Sequence, residues 1–155
     1  MRALARFLLV FSLVVWLGGI SFFSFVVAPA LFAMLPNTEI AAEVVRLTLI
    51  RLHLIGIACG VLFLAATFVV NIRNRKALRL LVGLMILFTA LSQFAIMPQM
   101  EHLRDAVGGS IQALPPKDAG RAAFDRLHKL SVVLEGATLL AGVVVVGLMS
   151  REQSD

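Results

Sequence analysis

Five side chains able to hold a charged or soft ligand lie within or beside long apolar stretches of this chain: His53, Met97, Met100, His128 and Glu135. Thioether and imidazole together suit copper, above all Cu(I), and two facing imidazoles suit a haem iron. His102, at the end of the run Met97-Pro98-Gln99-Met100-Glu101-His102, would stand on the same side. Each has a plainer reading beside the metal one. Methionine at such spacings is a common adaptable packing residue, and histidine at a membrane edge commonly caps a helix or snorkels. Glu135 demands more explanation, because a carboxylate a turn or two inside a bilayer needs a partner, a proton or water. The sequence offers His128, Arg51 or Gln93 as that partner, or else a role for Glu135 as proton carrier or ligand.

These residues must be positioned by helices that cross a membrane. The 155 residues are 60% hydrophobic and 15% charged, against roughly half apolar and a quarter charged in a soluble domain. Four stretches carry the excess, at about 7–35, 52–72, 78–98 and 129–150, with a more polar segment at about 99–128. Each approaches the roughly 20 residues that a hydrocarbon layer requires of a helix. The expected fold is all-α: one integral membrane domain over residues 1–155, a four-helix bundle. Arg2 and Arg6 ahead of an apolar run resemble a signal peptide, but Phe7 to Val27 exceeds a signal core of about 7 to 15 residues. The first span is therefore expected to be retained.

Lys and Arg divide evenly between the two sides, so their density decides orientation. Arg73, Arg75, Lys76 and Arg79 crowd a short loop without an acid, and Arg2 and Arg6 precede the first span. Both termini are accordingly expected on the cytoplasmic side of a bacterial inner membrane. The net charge of +5 finds its partner in anionic lipid head groups rather than nucleic acid. Cys59, the single cysteine, has no internal partner for a disulfide.

Local punctuation sets the helix ends. Pro36-Asn37-Thr38 provides a turn and an N-cap, after which Glu39, Ile40, Glu43, Val44, Arg46 and Leu47 fall at helical spacing, so the second helix is expected to protrude. Pro98 is expected to end or kink the third span, and Gly108-Gly109-Ser110 breaks the segment after it. Polar and small residues then form stripes. His128, Ser131, Glu135, Thr138 and Gly142 share one face of the last helix, while Arg46, His53, Gly56, Gly60 and Thr67 share one face of the second. Thr89, Gln93, Met97 and Met100 align on the third, and Gly18, Gly19 and Ser24 mark the first. Close packing accounts for the glycines and threonines. A glycine-rich phosphate loop and a cysteine pair are both missing from the sequence, so it supports no enzyme class.

Four short motifs also carry a resemblance: Trp16-Leu17-Gly18-Gly19 with Pro29, Arg51-Leu52-His53, Met97-Pro98, and Phe124-Asp125-Arg126-Leu127-His128-Lys129-Leu130-Ser131. In their order and placement at helix ends the chain resembles the uncharacterised four-helix membrane family related to eukaryotic transmembrane protein 205, which carries the DUF4149 domain. The resemblance implies the fold and carries the motif over to Trp16, Gly19, His53, Pro98, Phe124, His128 and Ser131. It also implies soft-metal handling, since the eukaryotic member is associated with tolerance of a platinum drug. The bundle is similar as well to a copper-resistance membrane family and to a four-helix protein of haem synthesis. Together these readings lead to an inner-membrane protein handling copper or haem at an outer His/Glu/Met site, the alternatives being a non-catalytic scaffold or partner subunit and a haem- or lipid-pathway enzyme. A homo-oligomer is the expectation if it transports.

Overall fold

The computed structural model describes residues 1–108 and 110–151; Gly109 and residues 152–155 lie outside the described residues. Four helices are long and apolar enough to cross a membrane: α1 (Arg2–Met34), α2 (Thr38–Val69), α3 (Arg75–Asp105) and α4 (Ala119–Arg151). The protein is an integral membrane protein built on these helices, which form two hairpins, α1–α2 and α3–α4. Both ends of the described chain lie at one end of the bundle. The other end, carrying Asn37 and the segment between α3 and α4, is called distal below.

Helix starts follow from side-chain caps. The Asn37 side chain accepts from the backbone N–H of Glu39 at 2.8 Å and of Ile40 at 3.4 Å, satisfying two unpaired donors of the helix start, and Glu39 in the first turn of α2 complements the partial positive charge there. Asp118 does the same for α4, accepting from Gly120 N–H at 2.7 Å and Arg121 N–H at 3.2 Å. At the other end of α2, Arg79 donates to Thr67 Oγ1 at 2.9 Å and to the Thr67 carbonyl at 3.1 Å.

The apolar residues divide between a packed interior and an outer surface that faces lipid. Leu9, Leu13, Trp16 and Ile20 of α1 are buried against Phe63 and Ala66 of α2 and Leu78, Val82 and Met85 of α3. Phe7, Val14, Phe68, Leu80, Phe94 and Leu140 are exposed around the perimeter, the arrangement expected where lipid replaces water. Trp16 is the keystone of the interior. A Cβ on Gly56 would enter its indole ring, and one on Gly60 would lie 2.7 Å from its Cζ3, so small residues on α2 set the close approach to α1. Gly142 plays the same part between α4 and α1, where a Cβ would run into Leu17. Gly18 departs from the packing expectation: it is exposed, and a Cβ there would meet nothing within 4 Å. It lies on the lipid-facing side of α1, one position away from Gly19, whose Cβ would lie 2.9 Å from Leu52 Cδ1.

Pro98 does not end α3, which continues to Asp105. The chain accommodates the proline with a π-helical segment at Ser92–Ile96, closed by the Met97 N–H bonding the Ser92 carbonyl. Helix α1 repeats the device. Its π-helical segment, Phe23–Val27, is closed by the Ala28 N–H bonding the Phe23 carbonyl, and Pro29 follows. In both helices the proline ring removes a donor and crowds the carbonyl a turn earlier, and the wider turn relieves that crowding.

Candidate functional site

Helices α1 and α4 touch at Leu17 and Gly142 in the half of the bundle nearer the termini. Distal to that contact they enclose a cavity of about 470 Å³. Phe23, Ser24, Ala28 and Phe32 line it from α1, beginning at the π-helical segment, and Met97 and Met100 line it from α3 just after the corresponding segment. His128, Ser131 and Glu135 line it from α4, and Arg46 with Leu49 from α2. The cavity thus falls in the range typical of small-molecule sites, with mostly apolar walls and a few polar groups. Phe32 and Val132, 45% and 57% exposed, place its side wall next to lipid.

Beside the cavity lies a three-residue relay. His53 of α2 is buried to 1% exposure, and it bonds Gln93 Oε1 through Nδ1 at 3.1 Å and Glu135 Oε2 through Nε2 at 3.2 Å. Since a carbonyl oxygen only accepts, Nδ1 carries a hydrogen and donates to Gln93. Nε2 and Glu135 Oε2 then share one further proton, held either as a carboxylic acid donating to neutral imidazole or as a carboxylate accepting from imidazolium. An exchange of the Gln93 oxygen and nitrogen positions would support the opposite tautomer, with Nε2–H donating to the carboxylate. The other oxygen of Glu135, Oε1, is buried and has no hydrogen-bond partner among the described residues. Glu135 itself lines the cavity.

Charged residues at the distal rim belong to a separate network. Arg46 pairs with Glu43 on its own helix, donating from Nε to Oε2 at 2.9 Å, and crosses to Glu101 of α3. Arg104 of α3 approaches Glu43 at 3.6 Å and lies over the ring of Phe124 on α4, 5.8 Å from its centroid. Two guanidinium groups are therefore matched by two carboxylates, and the network ties α2, α3 and α4 together where the polar start of α2 was expected to protrude. The helical spacing on α2 brings Glu43 beside Arg46; nothing in the linear spacing predicted that Glu101 and Arg104 of α3 would join them.

The structure sorts the expected site residues. Met97, Met100, His128, Ser131 and Glu135 share one cavity, and Gln93 and His53 stand behind Glu135. The partner of Glu135 is His53, rather than the expected His128, Arg51 or Gln93; Arg51 is exposed on α2. His53 and His128 do not face one another at one depth. His53 is level with Glu135, and His128 precedes Glu135 by two helical turns, about 10 Å along the axis at 1.5 Å per residue. His102 is exposed and lines a different depression with Gln99 and Leu103. Pro29 and Pro98 are exposed behind the π-helical segments, Trp16 and Gly19 pack within the bundle, and Phe124 carries Arg104.

No group of three His, Cys, Asp or Glu residues is close enough to hold a metal among the described residues. His53 has both ring nitrogens engaged, so as placed it offers no axial ligand to haem iron. Methionine, histidine and carboxylate nonetheless share the cavity wall.

Residues 11–108 match a family described as a domain of unknown function, DUF4149. No curated protein and no solved structure matches the chain.

Proposed function

This chain belongs to the DUF4149 family, whose description assigns no activity, and from that footing we propose that it is a binding protein for a small amphipathic molecule. The ligand occupies the cavity between α1 and α4 and sets its polar end at Glu135. The observation that carries this reading is that Glu135 lines a cavity of about 470 Å³ while its Oε1 is buried and has no partner among the described residues. An unpartnered acceptor in an apolar surrounding is costly, and a ligand donor at that position removes the cost. The exposed Phe32 and Val132 at the side give an apolar molecule entry from the bilayer. In this reading the distal end faces away from the cytoplasm of a bacterial inner membrane, supported by the density of Arg73, Arg75, Lys76 and Arg79 in one short stretch of sequence at the terminal end.

Gly136 allows a direct test, since it lines the cavity and a Cβ there meets nothing within 4 Å. Gly136→Phe fills the cavity without a built-in clash at its root. Protein purified from its native membranes is extracted with organic solvent and the extract compared by mass spectrometry. The wild type is expected to retain a small molecule in stoichiometric amount that Gly136→Phe has lost. Equal extracts from the two proteins would sink the reading.

A second reading has its own observation: Met97, Met100 and His128 line the same cavity, and two thioethers with an imidazole suit Cu(I). Titration with Cu(I) against a competing chelator tests it. Binding of one equivalent that is lost in Met97→Leu/Met100→Leu supports a copper site, and its absence removes that reading. Relationship to transmembrane protein 205 stays with the motifs that suggested it, of which Trp16, His53 and Phe124 hold defined places in the bundle.

A further inference from the structure

We infer that the ligand of this cavity is a lipophilic cation, taken up in exchange for the proton that His53 and Glu135 share. The inference rests on the proposed binding at the α1–α4 cavity and names the class of molecule bound there. Four observations lead to it. The rim network is balanced, Arg46 and Arg104 against Glu43 and Glu101, so it leaves no net charge to recruit an anion. Of the two acidic side chains that line the cavity, Glu101 is paired with Arg46 at the rim, whereas Glu135 has a buried Oε1 with no donor among the described residues. The wall opposite, on α1, supplies Phe23 and Phe32 and contains no titratable residue; aromatic faces attract cations, most strongly where water is excluded. Finally, Gln93 lets the relay exist in two protonation states.

The exchange balances in protons and charge. With the acid form, Glu135 donates from Oε2 to Nε2 of neutral His53, whose Nδ1–H donates to the Gln93 oxygen. An arriving cation pairs with the Glu135 carboxylate, and one proton leaves by the cavity. His53 keeps one proton, now on Nε2 and donated to the carboxylate, while the Gln93 amide turns to donate its N–H to Nδ1. One positive charge enters and one leaves, and no covalent bond other than to hydrogen changes. The titratable and charged groups around the site are His53 and Arg46 from α2, Glu101 and Arg104 from α3, and His128 from α4. His128 lies two turns nearer the rim and adds no fixed charge beside the carboxylate when neutral.

The test uses the full chain in lipid nanodiscs with tetraphenylphosphonium and its anionic counterpart of the same shape, tetraphenylborate. Titration calorimetry is expected to give saturable binding of the phosphonium and none of the borate at the same site. Its affinity should rise about tenfold per pH unit wherever the pair still holds its proton, with one proton released per cation in a weakly buffered solution. Glu135→Gln should weaken binding at least about tenfold and abolish the pH dependence, checked against an unchanged circular dichroism spectrum. The proton count on the wild type keeps the test decisive even if that variant does not fold. Equal binding of both ions, no binding of the phosphonium, or an affinity independent of pH would overturn the inference while leaving the extraction result for Gly136→Phe to decide the binding reading. Phosphonium binding that survives in Gly136→Phe would place it outside the cavity and overturn it as well.

Discussion

His53 and Glu135 stand 82 positions apart in the chain and 3.2 Å apart in the bundle. The bond joins the α1–α2 hairpin to the α3–α4 hairpin, and His53 reaches Gln93 of α3 with its other nitrogen. One imidazole therefore fixes the register of three helices. Removing either end strands a buried polar group, so His53→Ala and Glu135→Ala are each expected to destabilise the protein by about 1–3 kcal/mol. The coupling between them should be near 0.5–1.5 kcal/mol, the scale of hydrogen bonds between membrane helices. Reversible unfolding of the two single variants and the double variant in mixed micelles measures it. Strictly additive losses would mean that the bond does no coupling.

Trp16 occupies the space that Gly56 and Gly60 leave open on α2. Gly56→Ala puts a methyl group into the indole and is expected to cost about 1–3 kcal/mol through overpacking. Gly18→Ala, on α1 and facing open space, should stay within about 0.5 kcal/mol of the wild type. Trp16 is the only tryptophan, so its emission reports the displacement directly. A shift in Gly18→Ala equal to that in Gly56→Ala would contradict the packing.

Arg79 serves the last turn of α2 as a cap supplied by α3. It donates to both the hydroxyl and the carbonyl of Thr67, and its guanidinium lies 3.9 Å from the centre of the Phe68 ring. A cation at a helix C-terminus offsets the partial negative charge of the free carbonyls. Arg79→Ala is expected to lower stability by about 1–2 kcal/mol and to speed amide exchange at Val69 and Val70, while distal amides keep their rates. Uniform acceleration along α2 would argue against a local cap.

Much of this architecture was legible in the sequence because apolar length and polar stripes are local properties. The four spans, the Asn37 cap of α2 and the shared faces of His53 with Gly56 and of Ser131 with Glu135 all follow from spacing within one helix. What joins helices did not follow in the same way. Depth along the bundle depends on how far each helix slides past its neighbour, and that shift pairs Glu135 with His53 and leaves His128 two turns away. The sorting of Met100 from His102 depends similarly on helix rotation, and the π-helical segments change that rotation. Their signal was present in the sequence as Pro29 and Pro98, but a proline alone reads equally as a stop, a kink or a wider turn.

Pro98 gives the sharpest test of how the cavity is shaped. The π-helical turn at Ser92–Ile96 contains Gln93, which meets His53, and delivers Met97 and Met100 to the cavity wall. Pro98→Ala restores a backbone donor opposite the Phe94 carbonyl and removes the ring that crowds it, a local gain of up to about 3 kcal/mol for a regular helix. If the turn tightens to α geometry, the residues on either side of it rotate relative to one another by about 100°. Gln93 and the methionines then cannot both keep their places. Because the Gln93–His53 bond is worth only about 1 kcal/mol, the backbone term should win and the methionine face should turn away from the cavity. Met100→Cys in a Cys59→Ala background, labelled with a lipophilic maleimide, reports that face. Its labelling rate is expected to fall at least about tenfold when Pro98→Ala is added, as for a side chain moved from an open wall into a helix contact. An unchanged rate would mean that packing around Ser92 and Ile96, both buried, holds the π-helical turn without the proline, and that Pro98 follows the shape of the cavity rather than causing it.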